Sequence, residues 1–320
     1  MELGQVAKTG SRYAIVLDEA GTGFVANTKL IAHWRFDEIS GTTAYDSAGM
    51  NDGALKGSEG VAAHTTGKFG QALDLDYTNQ EHVEIGSDNF VTNLSGEKTF
   101  AFWTRLRTRP GINNASGFIG IDTNTSDNRW YIDDNNMSGG IRTGGSGMTG
   151  SFTVGAGALK YDQDVWQHVV VTDDGSETDR ATRIYIDGQL VGSRASFDYS
   201  GLPETSVLRL GAARHGGGYQ YLHGGLDDFG IWNAALTELQ VKTLYNLGSH
   251  SDINHDLGQV QRLFDAYDAG GGTVRNGSLE WKYTTAIQTE GAEVGEPFKA
   301  NGRYIIALDD AGAGFVANTK

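Results

Sequence analysis

The chain has 320 residues, with 46 Gly, 3 Pro, no Cys, 38% hydrophobic residues and a formal net charge of −15. Without cysteine there are no disulfides, no thiolate chemistry and no Cys-based zinc sites. The acidic balance argues against nucleic acid as a partner, because neutralising a phosphate backbone needs clustered Lys and Arg. No apolar run approaches the ~18 residues of a membrane-spanning helix, while 6 Trp, 13 Tyr and 13 Phe supply apolar mass for a sizeable core. No leader peptide follows Met1, so a secreted parent is expected to carry its signal upstream.

The first feature in chain order is a repeat. Residues 2–29 (ELGQVAKTGSRYAIVLDEAGTGFVANTK) align without a gap with residues 293–320 (EVGEPFKANGRYIIALDDAGAGFVANTK), identical at 17 of 28 positions and offset by 291. The chain reads as one complete unit preceded by the tail of an earlier one, the pattern of a tandem array. Residues 12–17 and 23–26 of the first copy have strand character, but the helix and strand that precede their counterparts in the second copy are missing. Two such strands form no core alone and leave sheet edges open. They are expected either to pack on the chain's own sandwich or to be completed by another chain through strand addition, which would grow a head-to-tail assembly.

From residue 30 to about residue 248, short apolar segments alternate with Gly, Asn, Asp and Ser turns, as in a β-sandwich or barrel. Strands are predicted at 31–36, 72–75, 82–85, 99–106, 117–121, 130–132, 166–172, 182–186, 207–210 and 226–232. Asp187-Gly188 supplies the positive φ of a tight hairpin before Gln189. Thr237 and Gln240 are spaced as a capping box for a helix with Leu239, Leu244 and Leu247, predicted to close one end of the sandwich. A polar linker follows Gly248. Beyond it, Leu257, Val260, Leu263, Phe264 and Tyr267 form one helical stripe that Gly270-Gly271-Gly272 ends, and strands are predicted at 278–284, 303–308 and 314–317. The predicted division is 1–29, a partial copy of the tail module; 30–248, a sandwich; and 249–320, a small helix-plus-strands tail.

Several segments together resemble the laminin-G-like, concanavalin-A-like family of β-sandwiches found in bacterial surface proteins. They are His33-Trp34-Arg35-Phe36-Asp37-Glu38 with Ser40-Gly41-Thr42 and Asp46-Ser47; Asn51-Asp52-Gly53; Gly67-Lys68-Phe69-Gly70-Gln71-Ala72-Leu73; Phe100-Ala101-Phe102-Trp103; Trp166-Gln167-His168-Val169; Tyr185-Ile186-Asp187-Gly188; and Gly225-Leu226-Asp227-Asp228-Phe229-Gly230-Ile231-Trp232 leading to Ala235-Leu236-Thr237. The resemblance implies a mainly β fold, an antiparallel jelly-roll sandwich, here followed by a small α+β tail. It also implies an extracellular or cell-surface place and a role in glycan binding, adhesion or scaffolding. Relatives of this fold that hydrolyse glycosides carry a Glu-x-Asp-x-x-Glu strand, which sets nucleophile and acid about 5 Å apart. That pattern is absent from this sequence, as is a Gly-x-Ser-x-Gly elbow, and a non-enzymatic module is expected.

Three groups of residues are candidates for function. The resemblance implies a structural Ca2+ near the entry strand, held by Asp227 and Asp228 with Asp37, Asp46 and Asn51 from the opening loop, in keeping with the oxygen ligands calcium takes; the alternative is that these residues cap turns. Arg214, His215, Tyr219, Tyr221 and His223 could form an aromatic platform for a sugar, or an ordinary hairpin that covers the sandwich edge. Tyr13, Ile15, Leu17 and Phe24, with their counterparts Tyr304, Ile306, Leu308 and Phe315, would make contacts between units. The expected function is a structural or adhesive module that self-assembles head to tail through its repeated ends into a filament or surface array. The alternative is a lectin-like module with an extracellular glycan as partner.

Overall fold

The structure is a computed structural model that describes residues 30–86, 94, 96–108, 116–122, 130–134, 141–144, 152–175, 181–194, 206–215 and 218–247, and the backbone of 6–9, 12–16, 297–300 and 303–308. In chain order the strands are β1 (Val6–Thr9), β2 (Arg12–Val16), β3 (Leu30–Trp34), β4 (Thr43–Ala44), β5 (Gly53–Lys56), β6 (Ala63–Thr66), β7 (Gln71–Leu75), β8 (His82–Ile85), β9 (Lys98–Leu106), β10 (Gly117–Asp122) and β11 (Trp130–Asp133). They continue as β12 (Ile141–Gly144), β13 (Phe152–Val154), β14 (Gln167–Asp173), β15 (Thr182–Ile186), β16 (Gln189–Arg194), β17 (Val207–Leu210), β18 (Ala212–His215), β19 (Gly218–Tyr221), β20 (Gly224–Trp232), β21 (Pro297–Ala300) and β22 (Arg303–Leu308), with one α-helix, α1 (Glu238–Leu247), among the described residues. The chain divides into two compact units, Leu30–Ala235 and a second made of Met1–Lys29 with Leu236–Lys320.

The larger unit is a sandwich of two sheets whose strand pairings are antiparallel. The first sheet runs β13-β12-β11-β10-β17-β8-β5-β4 and the second β16-β15-β14-β9-β20-β7-β6, with β3 also paired to β20. Each strand turns alternate residues inward. Val83, Ile85, Ile119, Ile121, Leu208 and Leu210 of the first sheet meet Leu73, Phe100, Phe102, Val169, Val171 and Phe229 of the second in one buried cluster. Phe102 stacks on Phe229 with centroids 5.1 Å apart and leans across the interface on Phe118 at 5.3 Å. Each such side chain contributes about 1.5–3 kcal/mol on burial, so this interface is the main source of stability in the sandwich.

Local chemistry sets several junctions. Asp187 (φ 50°) and Gly188 (φ 74°) make the predicted tight turn between β15 and β16. In β20 the register against β9 shifts between Asp227 and Gly230, and Asp228 sits there at φ 49°. This bulge re-aims the strand's acidic pair, a common use of an extra residue in a ladder. Strands missed by sequence pattern include β4, β5, β6, β12 and β13, which are short and hold few large apolar residues.

The second unit is known here through α1 and two hairpins. Thr237 N–H donates to Gln240 Oε1 (2.8 Å) while Gln240 N–H donates to Thr237 Oγ1 (3.3 Å), the reciprocal capping box. The helix, expected to close the sandwich, groups with the terminal unit. The terminal sheet runs β1-β2-β22-β21. The first repeat copy thus holds a strand, β1, that the sequence pattern did not show. Its β2 pairs with β22 of the second copy. Leu17, Phe24 and Phe315, the predicted strands at 23–26, 278–284 and 314–317 and the helix through Leu263 lie outside the described residues.

Candidate functional site

The predicted sugar-binding segment forms a hairpin of its own. After β17 the chain reverses at Gly211 (φ 79°), and β18 and β19 pair with Arg214 opposite Tyr219 and Ala212 opposite Tyr221. The hairpin lies directly on β10. A Cβ on Gly120 would fall 2.7 Å from Ala212 O, and one on Gly117 would collide with Ala213 N, so both positions need glycine for this close approach.

Beneath it the outer face of the first sheet carries a charged cluster. Arg209 (4% exposed) reaches Asp122 (0%) through Nη1 at 2.8 Å and Glu84 through Nη2 at 3.0 Å. Tyr219 Oη donates to the other Asp122 oxygen at 3.0 Å, and its ring sits 4.9 Å from the Arg209 guanidinium and 5.5 Å from that of Arg214. Tyr221 packs against Tyr219 (5.9 Å) and His82 (5.5 Å). Burial raises both phenols above their ordinary pKa, and burial, with Arg209 nearby, lowers that of His82. Tyr219 is therefore held by neighbours at its tip and ring, whereas Tyr221, His82 and Glu84 form a half-buried polar rim.

His223 stands apart from this cluster. It packs edge-on against Tyr77 at 5.0 Å, with Nδ1 3.7 Å from Asp76. The backbone of His215 pairs with Gly218 at the hairpin tip. The structure thus brings Arg214, Tyr219 and Tyr221 together and adds His82, Glu84, Asp122 and Arg209, which sequence reading did not single out. The one signal for them was charge at alternate positions of predicted strands, and it does not say which strands become neighbours.

The residues proposed for calcium are held by different partners. Asp46 organises the opening loop: Oδ1 accepts from the N–H groups of His33 (2.8 Å) and Ala48 (3.0 Å), and Oδ2 from Asn51 N–H (3.0 Å) and Nδ2 (2.8 Å). Asp228 meets His33 Nε2 at 2.7 Å in a buried pair. Asp37 bonds Arg35 (2.8 Å) and accepts from Gln71 N–H (3.0 Å). Only Asp227 keeps an orphan. It is fully buried, its Oδ2 accepts from Phe69 N–H at 3.0 Å, and its Oδ1 has no hydrogen-bond partner. Burial first, then the nearby carboxylates of Asp228 and Asp37, push its pKa up to about 8 against the opposing backbone hydrogen bonds. Among the described residues no group of three or more Asp, Glu or His is placed to hold a metal ion.

One arrangement was not anticipated. Ser47 Oγ lies 2.7 Å from His33 Nδ1, and His33 Nε2 lies 2.7 Å from Asp228 Oδ1, the residue types of an acyl-transfer triad. Acyl transfer also needs N–H donors aimed at the developing oxyanion. The N–H groups of Ser47, Ala48 and Asn51 are already committed to His33 O, Asp46 Oδ1 and Asp46 Oδ2. The series ties strand β3 to the opening loop and the β20 bulge.

The comparisons with known proteins agree with the sandwich. A family model of laminin-G type, described as the concanavalin A-like lectin/glucanases superfamily, matches residues 77–242, more than half of the chain. The chain belongs to this superfamily. No curated protein matches it. Among solved structures, the binding domain of botulinum neurotoxin DC in complex with rat synaptotagmin II aligns with a TM-score of 0.50 at 14% identity, covering 71% of this chain and 54% of that one. A Trypanosoma rangeli sialidase mutant displaying trans-sialidase activity aligns with a TM-score of 0.50 at 14% identity, covering 72% of this chain and 34% of that one. Domain 4 of an extracellular arabinanase from Geobacillus stearothermophilus, in complex with arabinotriose, is 20% identical with a TM-score of 0.48, covering 68% of this chain and 98% of that one. At these identities the likeness is one of fold. Among the described residues no helix is long and apolar enough to cross a membrane.

Proposed function

We propose that this chain is a non-catalytic extracellular module that joins to further copies through its repeated terminal segments, with the superfamily sandwich as the body of a filament or surface array. The observation that supports this is the ladder between β2 and β22, in which the two repeat copies bind each other. A strand edge that accepts its own copy within a chain can accept it from a second chain by exchange, a low-cost route to oligomers. The test is refolding from denaturant over a range of protein concentrations, followed by light scattering and electron microscopy. Oligomers that grow with concentration are expected; monomers alone at every concentration would overturn the reading.

A second reading, carbohydrate binding, is favoured by the half-buried rim of Tyr221, His82 and Glu84 beside Arg209 and Asp122. Aromatic edges and paired charges can meet sugar CH faces and hydroxyls. Binding on a glycan array that is lost in Tyr221→Ala, with the fold intact, is expected; an array without hits rejects it. Calcium enters as a further proposal at Asp227, whose orphan oxygen a cation would satisfy. A melting temperature that rises between EDTA and millimolar calcium supports this, and an unchanged one overturns it.

A further inference from the structure

The two terminal hairpins are alike in register as well as in sequence. In the first, Val6, Ala7, Lys8 and Thr9 face Ile15, Ala14, Tyr13 and Arg12. In the second, Pro297, Phe298, Lys299 and Ala300 face Ile306, Ile305, Tyr304 and Arg303. Each pair in the second is the corresponding pair of the first moved by the repeat offset of 291.

Between the hairpins the register is Tyr13↔Leu308, Ala14↔Ala307, Ile15↔Ile306 and Val16↔Ile305. Ile306 is the repeat counterpart of Ile15, and Ala307 and Ile305 are the counterparts of Val16 and Ala14. The ladder is therefore symmetric about position 15/306: what Ala14 is to Ala307, Ile305 is to Val16. Antiparallel strands of these lengths can pair in several registers. The one adopted gives both copies the same surroundings, which is the definition of an isologous contact. Tyr13, Ile15, Ile306 and Leu308 occupy register positions of one parity, so the symmetric register also keeps the apolar set on one face of the sheet.

The outer strands differ in character from this inner edge. β1 and β21 each carry a lysine at the same repeat position, Lys8 and Lys299, and β21 begins with Pro297, which has no N–H to donate. Lysine and proline on an edge discourage further strand addition. Among the described residues the sheet has four strands.

The geometry points to a self-pairing edge: strand 12–16 and its repeat 303–307 form a two-fold clasp whose partner is another copy of the same hairpin, supplied by the same chain or by a second copy of this chain. This rests on the joining function proposed above and specifies its partner and stoichiometry. Each hairpin accepts one other hairpin, so exchange links chains in pairs at every junction and does not stack strands into an open cross-β sheet.

Because the chain has no cysteine, engineered thiols report the register directly. In the full-length chain at low concentration, Ile15→Cys with Ile306→Cys should close within the molecule under mild oxidation or with a short bismaleimide. Ile15→Cys with Ile305→Cys, one residue out of register and on the other face, should close at least several-fold less. Co-refolding the two single variants Ile15→Cys and Ile306→Cys at high concentration should yield mixed cross-linked dimers. Ile15→Pro with Ile306→Cys disables the first edge and should yield dimers linked through position 306 of both chains. Equal closure of the in-register and shifted pairs overturns the clasp even if the protein still oligomerises, which leaves joining to another surface. Closure within the chain without mixed dimers at any concentration overturns exchange between chains and the joining function with it, while the two-fold register stands.

Discussion

Two buried sites, one on each sheet of the sandwich, handle charge in opposite ways. On the first, Arg209 and Asp122 are buried together, with Glu84 and Tyr219 completing their hydrogen bonds. On the second, Asp227 is buried with one oxygen unmatched and stays protonated near neutral pH. A buried ion is tolerated when it is paired or when it gives up its charge, and these two sites use one solution each. In the first case stability depends on a partner. In the second it depends on pH.

The largest effect should come from removing the partner. Arg209→Ala leaves Asp122 buried without its cation, a change that costs about 3–5 kcal/mol; chemical denaturation read at pH 7 checks it, and a loss below about 1 kcal/mol would mean that the cluster is hydrated. Asp227 gives an effect of similar size across its whole pH window, and its sign follows from the raised pKa. Between the ordinary carboxylate value of 3.8 and about 8, the folded state holds a proton that the unfolded state has released. Stability from this group is therefore full below about pH 4 and falls as pH rises towards 8, by at most about 1.4 kcal/mol per pH unit. Asp227→Asn should flatten that fall and be the more stable form at pH 8, as read from melting temperature across the window; parallel profiles for the two proteins would refute the protonated state. A smaller change is expected for Tyr219→Phe, which removes one hydrogen bond to Asp122 and should cost about 1–2 kcal/mol. Lys242→Ala, which removes an exposed helical pair with Glu238 at 2.7 Å, serves as the control and should cost about 0.3–0.5 kcal/mol.

Much of the sandwich was legible because its central strands are long and apolar at period two. Strand 82–85, strand 182–186, strand 207–210 and the Asp187-Gly188 turn stand where the sequence placed them. The short strands β4 and β6 were not legible, since two to four residues with little apolar content carry almost no periodicity. The candidate site was legible only in part. Tyr219 and Tyr221 signal themselves as aromatics in a Gly-rich segment, but their partners Glu84, Asp122 and Arg209 belong to β8, β10 and β17, far apart in sequence and adjacent only in the sheet. The calcium group was marked by the family resemblance and by hard-ligand residue types; within the fold Asp46 accepts from loop amides, Asp228 meets His33 and Asp37 bonds Arg35.

By itself the sequence determined the mainly β class, the superfamily, the capped helix and the presence of two copies of one terminal segment, because all four rest on local pattern or on direct identity. Only the tertiary structure decided which strands are neighbours, which buried carboxylate is paired, and that the two copies pair in a register centred on Ile15 and Ile306. Strand pairing and burial arise from contacts between residues distant in the chain, and no local pattern encodes them.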